Sequence, residues 1–239
     1  MNLSILISLI CPPVLYSLII YITSPYKSIS IKKSAYYFAG GMLSTTILSI
    51  INLAVPYSKI EYLTEPFLFY FKGVALHEEL AKFVAFMIMY KILRQKGDHP
   101  IGTMFYLGMV GLGFAMVENM GYLRQYGEQV LLIRNVSSTL AHMIFGMFTG
   151  YWISLGKTRR GKYGNRSLFD IVLLKNDTLR FYTYSLIGIT SGIAYHGLWN
   201  YSLVVSGNAS TPIMILMLLI GLIGCKFASD NLIVVSGRK

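Results

Sequence analysis

Two apolar stretches of this chain, each long enough to cross a bilayer, are interrupted by acids. Residues 67–90 contain His77-Glu78-Glu79-Leu80-Ala81-Lys82, and residues 102–123 contain Glu118-Asn119-Met120-Gly121-Tyr122. A charged side chain at mid-bilayer costs about 3 kcal/mol on insertion scales. Glu78, Glu79, Lys82 and Glu118 together therefore cost roughly 12 kcal/mol, comparable to the whole net stability of a domain, about 5–15 kcal/mol. Lipid packing offers nothing to offset that. The pattern implies an internal polar site, and intramembrane ionisable residues are functional by default.

The rest of the chain agrees with a membrane setting. Of its 239 residues 54% are hydrophobic and only 13% charged, against about 25% charged in ordinary soluble domains. Apolar stretches at 3–22, 36–53, 67–90, 102–123, 136–155, 179–203 and 211–228 each approach the roughly 20 residues that a spanning helix needs. The expected fold is an all-α polytopic transmembrane bundle of about seven spans, forming one domain over residues 1–239. Cys11-Pro12-Pro13 should kink or break the first span. That span lacks a basic flank and a cleavage site, and reads as retained, not as a signal peptide. Cys11 and Cys225 lie in spans near opposite ends of the chain and suggest no disulfide.

The net charge of +11 is topological. Lys59, Arg124 and Arg134 face one side, and nearly all the other basic residues face the opposite one, including the whole basic loop 156–178. The positive-inside rule makes the crowded side cytoplasmic, with the N-terminus out and the C-terminus in. Within that loop the run Leu168-Phe169-Asp170-Ile171-Val172-Leu173-Leu174 is too short to span; it lies at the headgroups or packs under the bundle. No basic stripe interleaved with aromatics occurs, so the expected partner is the lipid bilayer, not nucleic acid. With this orientation Glu118 and His196 come late in outward spans, His142 early in an inward span, and Glu78 and Glu79 near mid-span. All fall in the middle or outer half of the membrane, as parts of one site would.

At about 100° per helical residue, Glu78 and Glu79 diverge and Lys82 projects between them one turn later, able to pair with either. Glu118 and Asn119 diverge likewise, with Tyr122 between them and Phe114 one turn earlier. His196 and Asn200 share a face. Ser138, His142, Gly146 and Gly150 form a stripe at four-residue spacing, and its small members permit close helix approach. Plainer readings stand beside these. A Glu–Lys pair one turn apart is usually a salt bridge, but that does not explain a second adjacent acid. A lone histidine such as His142 often only joins helices. Tyr122 and Trp199 read as interfacial anchors. His77-Glu78-Glu79-Leu80-Ala81 starts like a zinc-protease HExxH motif, yet Ala81 occupies the second histidine position, so His77 is not such a ligand.

The set Glu78-Glu79-x-x-Lys82, Phe114-x-x-x-Glu118-Asn119-x-x-Tyr122, His142 with its small followers, and His196-Gly197-Leu198-Trp199-Asn200 resembles the PrsW family of intramembrane proteases. It covers the motif-bearing core, about 66–203. A more distant resemblance extends to the CAAX-prenyl-protease and bacteriocin-processing superfamily, where an Arg at longer spacing and a closing His replace Lys82 and Glu118. The resemblance implies regulated proteolysis of a membrane-anchored substrate, the type case being an anti-sigma factor cut on its extracytoplasmic side.

Peptide hydrolysis needs an activated water, an oxyanion stabiliser and a proton donor to the amine. The expected catalytic set is Glu78, Glu79, Lys82, Glu118, Asn119, His142, His196 and Asn200. In it Glu78 or Glu79 acts as base, Lys82 positions them, Glu118 shares that role or orients a histidine, and His142, His196 and Asn200 polarise water or the oxyanion. No cofactor is expected on this reading; the alternative is zinc held by His142, His196 and Glu118, with an open water position. A proton-coupled transporter would also need buried Glu, Lys and His, but its usual repeat symmetry and interrupted helices are not visible. A non-catalytic scaffold for transmembrane helices would need the pocket without the full motif set.

Overall fold

With no water inside a bilayer to satisfy the backbone, long apolar runs must bond within themselves, which selects helices. The computed structural model describes residues 3–23, 29–56, 65–93, 100–157 and 177–235, and among these no strand occurs. The chain runs through α1 (Leu3–Thr23) and α2 (Ile31–Ala54). Pro66–Leu68, a π-helical stretch Phe69–Ala75 and Leu76–Ile92 then follow without a break, together α3. Next come α4 (Pro100–Tyr126), the short α5 (Gln129–Val136) and α6 (Ser138–Lys157). α7 (Asp177–Val205) leads through a single 3₁₀ turn into α8 (Ser210–Val235).

The expected all-α bundle is present, and the seven apolar stretches fall on α1 to α4 and α6 to α8. Length and composition alone qualify 5 helical stretches for crossing a membrane: α1, α2, most of α4, α5 joined to α6, and the 3₁₀ turn joined to α8. The two long helices left out, α3 and α7, carry Glu78, Glu79 and Lys82, and His196 with several tyrosines. Their shortfall in hydropathy is the polar site itself. Most of the basic loop, its apolar run Leu168–Leu174, Lys59 and His99 lie outside the described residues.

Burial sorts the helices into an inside and a shell. The apolar window of α4 is 83% buried and that of α5–α6 is 67%, against 17–22% for α1, α2 and α8. Leu15, Leu18 and Ile19 of α1, and Leu216, Leu219 and Ile223 of α8, point outward, as lipid-facing side chains should. The axis of the bundle is therefore α4 against α6. Glycines let those two backbones meet: a Cβ on Gly111 would strike the His142 carbonyl oxygen, and one on Gly146 would strike that of Leu107. Close approach through small residues is how membrane helices gain packing without a hydrophobic driving force. Here it also sets His142 against the face of α4 that carries Gly111, Phe114 and Glu118.

α1 stays helical through Pro12 and Pro13; the expected break does not occur. A proline at position 12 cannot donate to the carbonyl four residues earlier, which frees the Ser8 oxygen. Asn135 Nδ2 of α5 fills it at 2.7 Å. Neighbouring helices commonly re-satisfy backbone groups freed by intramembrane proline, and here the substitute bond ties α1 to α5.

If the α4–α6 contact holds the bundle together, Gly146→Val should lower the melting temperature in detergent, by overpacking worth about 1–3 kcal/mol. Gly121 has nothing within 4 Å of its Cβ position, and Gly121→Ala should leave the melting temperature unchanged or slightly raised.

Candidate active site

The side chains that the sequence singled out converge where α3, α4, α6 and α7 meet. The turn of α3 holding Glu78, Glu79 and Lys82 is regular α-helix, so Lys82 lies one turn beyond both acids as the spacing predicts. It does not divide itself evenly. Lys82 Nζ lies 2.7 Å from Glu79 Oε1 and 3.6 Å from Glu78 Oε2. On its other side it reaches Nδ1 of His142 at 2.9 Å and lies 4.1 Å from the centre of the Phe114 ring. With 2% of its surface exposed, this lysine is a hub inside the bundle, not a snorkelling residue.

From that hub one run of hydrogen bonds extends both ways. Glu79 Oε1 also accepts from His196 Nδ1 at 2.8 Å. On the α6 side, His142 Nε2 meets Glu118 Oε2 at 2.9 Å, and the same oxygen receives Arg134 Nη2 at 2.7 Å. An ammonium can only donate and an ionised carboxylate can only accept, which fixes the direction of each bond. Lys82 donates to His142 Nδ1, so His142 carries its hydrogen on Nε2 and gives it to Glu118. His196 gives its Nδ1 hydrogen to Glu79. The order is Arg134, Glu118, His142, Lys82, Glu79, His196, with five helices contributing.

Glu78 stands apart from this run. Its Oε2 is buried and has no hydrogen-bond partner, although Lys82 Nζ and His196 Nε2 lie 3.6 and 3.8 Å away. Beside it opens a cavity of about 840 Å³ walled by Glu78, Glu118, Arg134, His142, His196 and Asn200, with Phe69, Tyr70, Tyr122, Tyr126 and Trp199 among its aromatic lining. Glu79, Lys82 and Asn119 stand behind this wall.

The eight expected residues thus occupy two layers. Glu78, Glu118, His142, His196 and Asn200 reach the cavity. Glu79 and Lys82 brace them. Asn119 has a different job: its Oδ1 accepts from Arg134 Nε at 2.8 Å, and its Nδ2 reaches Thr139 Oγ1 at 3.0 Å and Asn135 Oδ1 at 3.3 Å. It ties α4 to α5 and α6. His77 points elsewhere, its Nδ1 lying 2.9 Å from Asn52 Oδ1 of α2. Trp199 is not an interfacial anchor; it is 4% exposed and packs with Ala141 and Phe145. Tyr122 is no simple anchor either, since its ring lies 3.4 Å beneath the Arg134 guanidinium.

The carboxylate that joins the two histidines differs from the sequence expectation. Glu118 is taken up by Arg134 and His142, whereas Glu78, His142 and His196 each offer an atom within 4.8 Å of the others. Two imidazoles and a carboxylate are a donor set that zinc takes, with a fourth position left for water. Glu78 Oε2 lacks a partner and lies 3.8 Å from His196 Nε2, so these two donors fit a metal; His142, bonded at Nδ1 to Lys82 and at Nε2 to Glu118, would join them only by giving up one of those bonds.

Two features escaped the sequence reading. Arg134 continues the 138–142–146–150 stripe one step back, a regularity that would have drawn it into the site. The π-helical stretch Phe69–Ala75, in which Leu76 N bonds Phe71 O, carries no special composition. It sets Phe71 against Gly197, next to His196, where a Cβ would lie 2.6 Å from the ring. Single π turns inside α-helices frequently mark functional sites.

Comparison with known proteins adds identity to this geometry. The family model described as PrsW family intramembrane metalloprotease matches residues 30–224. The chain is 29% identical over 170 residues to Protease PrsW of Oceanobacillus iheyensis, covering 69% of each protein. It is 30% identical to Protease PrsW of Clostridioides difficile over 58% of this chain and 60% of that one, and 30% identical to that of Shouchella clausii over 64% of each. The aligned segments thus span 60–69% of these relatives' own lengths. No solved structure matches the chain significantly. With a family match over residues 30–224 and a bundle of long apolar helices, this multi-pass membrane protein belongs to the PrsW family of intramembrane proteases.

Proposed function

We propose that the chain is an endopeptidase that cleaves a membrane-anchored protein, of the anti-sigma-factor kind, near the exterior face of the membrane, using water activated by Glu78. One observation carries the choice of base. Glu79 spends Oε1 on both Lys82 and His196, whereas Glu78 lines the cavity and keeps a buried carboxylate oxygen that no hydrogen bond claims. A base must have a lone pair to spare for the proton it removes.

In this mechanism Glu78 takes a proton from water as the hydroxide adds to the scissile carbonyl carbon. As the carbon–nitrogen bond breaks, the same proton passes from Glu78 to the leaving amine. Asn200, on the cavity wall, donates to the developing oxyanion, the kind of contact worth most where water is excluded. Glu79 and Lys82 hold His196 beside Glu78. His142, with both nitrogens engaged, orients its neighbours and does not contact substrate.

A second reading follows from the donor set. Glu78 and His196 would hold a divalent metal such as zinc, with His142 as third donor once a nitrogen is released from Lys82 or Glu118. A bound zinc supplies Lewis-acid polarisation of the carbonyl and a water that deprotonates near neutral pH. The two readings share the cavity and part at Glu78, a base in one and a ligand in the other.

Reconstituted protein offered a set of single-span helices with varied exterior juxtamembrane segments should cut a subset of them, as read by mass spectrometry. Glu78→Gln should slow that cleavage by about 10²–10⁴-fold with the melting temperature retained; undiminished cleavage would remove Glu78 from the mechanism. Under the glutamate reading, metal content stays substoichiometric and chelators leave the rate unchanged. Stoichiometric zinc, with cleavage lost on chelation and regained on adding zinc back, would establish the metal reading instead. Leu132 of α5 is 76% exposed and belongs to the exterior end, so a cysteine there, in a Cys11→Ser background, should react with an impermeant maleimide on intact cells. Labelling only after permeabilisation would reverse the orientation.

A further inference from the structure

Arg134 reaches the site from α5, a helix that contributes none of the motif residues. Its Nη2 lies 2.7 Å from Glu118 Oε2 and 3.0 Å from Ser138 Oγ, its Nε 2.8 Å from Asn119 Oδ1, and its guanidinium 3.4 Å over the Tyr122 ring. Those partners sit on α4 and at the start of α6. The next residue, Asn135, fastens α5 to the Ser8 carbonyl of α1 at 2.7 Å. Both Nε and Nη2 are thus turned toward protein partners, as a brace would be.

What the brace holds is one oxygen. Glu118 Oε2 is shared by Arg134 and by His142 Nε2, and His142 passes the constraint to Lys82 through Nδ1. A carboxylate with its direction fixed on one side presents a fixed acceptor on the other. That acceptor receives the Nε2 hydrogen, which Lys82 at Nδ1 already places there, and so fixes the plane of the ring. Carboxylates that orient a functional histidine in this way act on activity without touching substrate.

We propose that Arg134 is a positioning residue for the reaction: it aims Glu118, and through Glu118 it fixes the ring orientation of His142, whose tautomer Lys82 already dictates. The kinetic consequence rests on the hydrolytic reading of the cavity; the structural one does not. Lysine should replace it poorly, because a flexible point charge cannot reproduce a planar fork that bonds three oxygens and stacks on a tyrosine.

The test joins kinetics to spectroscopy. In protein labelled with ¹⁵N-histidine, the imidazole signals of His142 are assigned by their loss in His142→Gln. Arg134→Gln should move those signals by loosening the Nε2–H bond to Glu118, as should Glu118→Gln, with the Nε2–H tautomer kept by Lys82. On the best-cut reporter of the single-span set, Arg134→Gln should lower kcat roughly 10–100-fold with KM little changed. Arg134→Lys should fall between it and wild type, and Arg124→Gln, which removes an exposed cation on the same side, should match wild type. Melting temperatures identify any variant that fails to fold, in which case Arg134→Lys carries the comparison. Unchanged His142 signals in Arg134→Gln would overturn the proposal, and so would a rise in KM with kcat intact, which would make Arg134 a substrate-binding residue. If wild type cuts none of the reporters, the hydrolytic reading fails, and the imidazole signals still decide whether Arg134 sets His142.

Discussion

A single ammonium group organises this bundle. Lys82 donates to Glu79 on its own helix and to His142 across the bundle, at 2.7 and 2.9 Å, with almost none of its surface exposed. An isolated charge at that depth would be prohibitive, and removing one partner of a buried pair typically costs about 3–5 kcal/mol. Every neighbour is therefore held to its place. Glu79 cannot turn away without abandoning Lys82, His196 cannot turn away without abandoning Glu79, and His142 is pinned between ammonium and carboxylate. The arrangement leaves Glu78 with an unsatisfied oxygen, beside a cavity, in surroundings too crowded with fixed partners to let it find one.

The packing serves this network more than it serves stability alone. Glycines in α4 and α6 bring two backbones into contact, and that contact places His142 opposite Glu118. The glycine after His196 accepts the ring of Phe71 from the π-helical stretch of α3. Large apolar side chains face outward on α1 and α8, where lipid receives them at no cost. The interior combines large aliphatic side chains such as Met104, Leu107, Leu112 and Ile144 with glycines, aromatic rings and bonded polar groups.

How much of this was legible in the sequence depends on how unusual each residue is for its surroundings. Glu78, Glu79, Lys82 and Glu118 were conspicuous because charge is expensive within an apolar stretch, and the helical spacing of Lys82 from both acids survived because that turn is regular. What the wheel could not give was the unequal sharing, Glu79 bound closely and Glu78 loosely, because His196 and His142 lie more than fifty residues away and decide it. Arg134 went unnoticed for the opposite reason. A cation near a span end is ordinary, and its meaning comes only from the acid it meets. The π-helical turns were invisible because nothing in the run Phe69–Ala75 distinguishes a π-helical bonding pattern from an α-helical one. Trp199 looked like an interfacial ring for want of any sign that α6 would bury it.

The bond from Asn135 to the Ser8 carbonyl has a wider meaning. The family match begins at residue 30, so α1 lies upstream of everything this chain shares with the family model. Yet a backbone oxygen released by Pro12 holds the helix that carries Arg134. The least shared segment thus abuts the most constrained one. A trimmed chain retaining only the common region would keep every motif and lose the strut behind them.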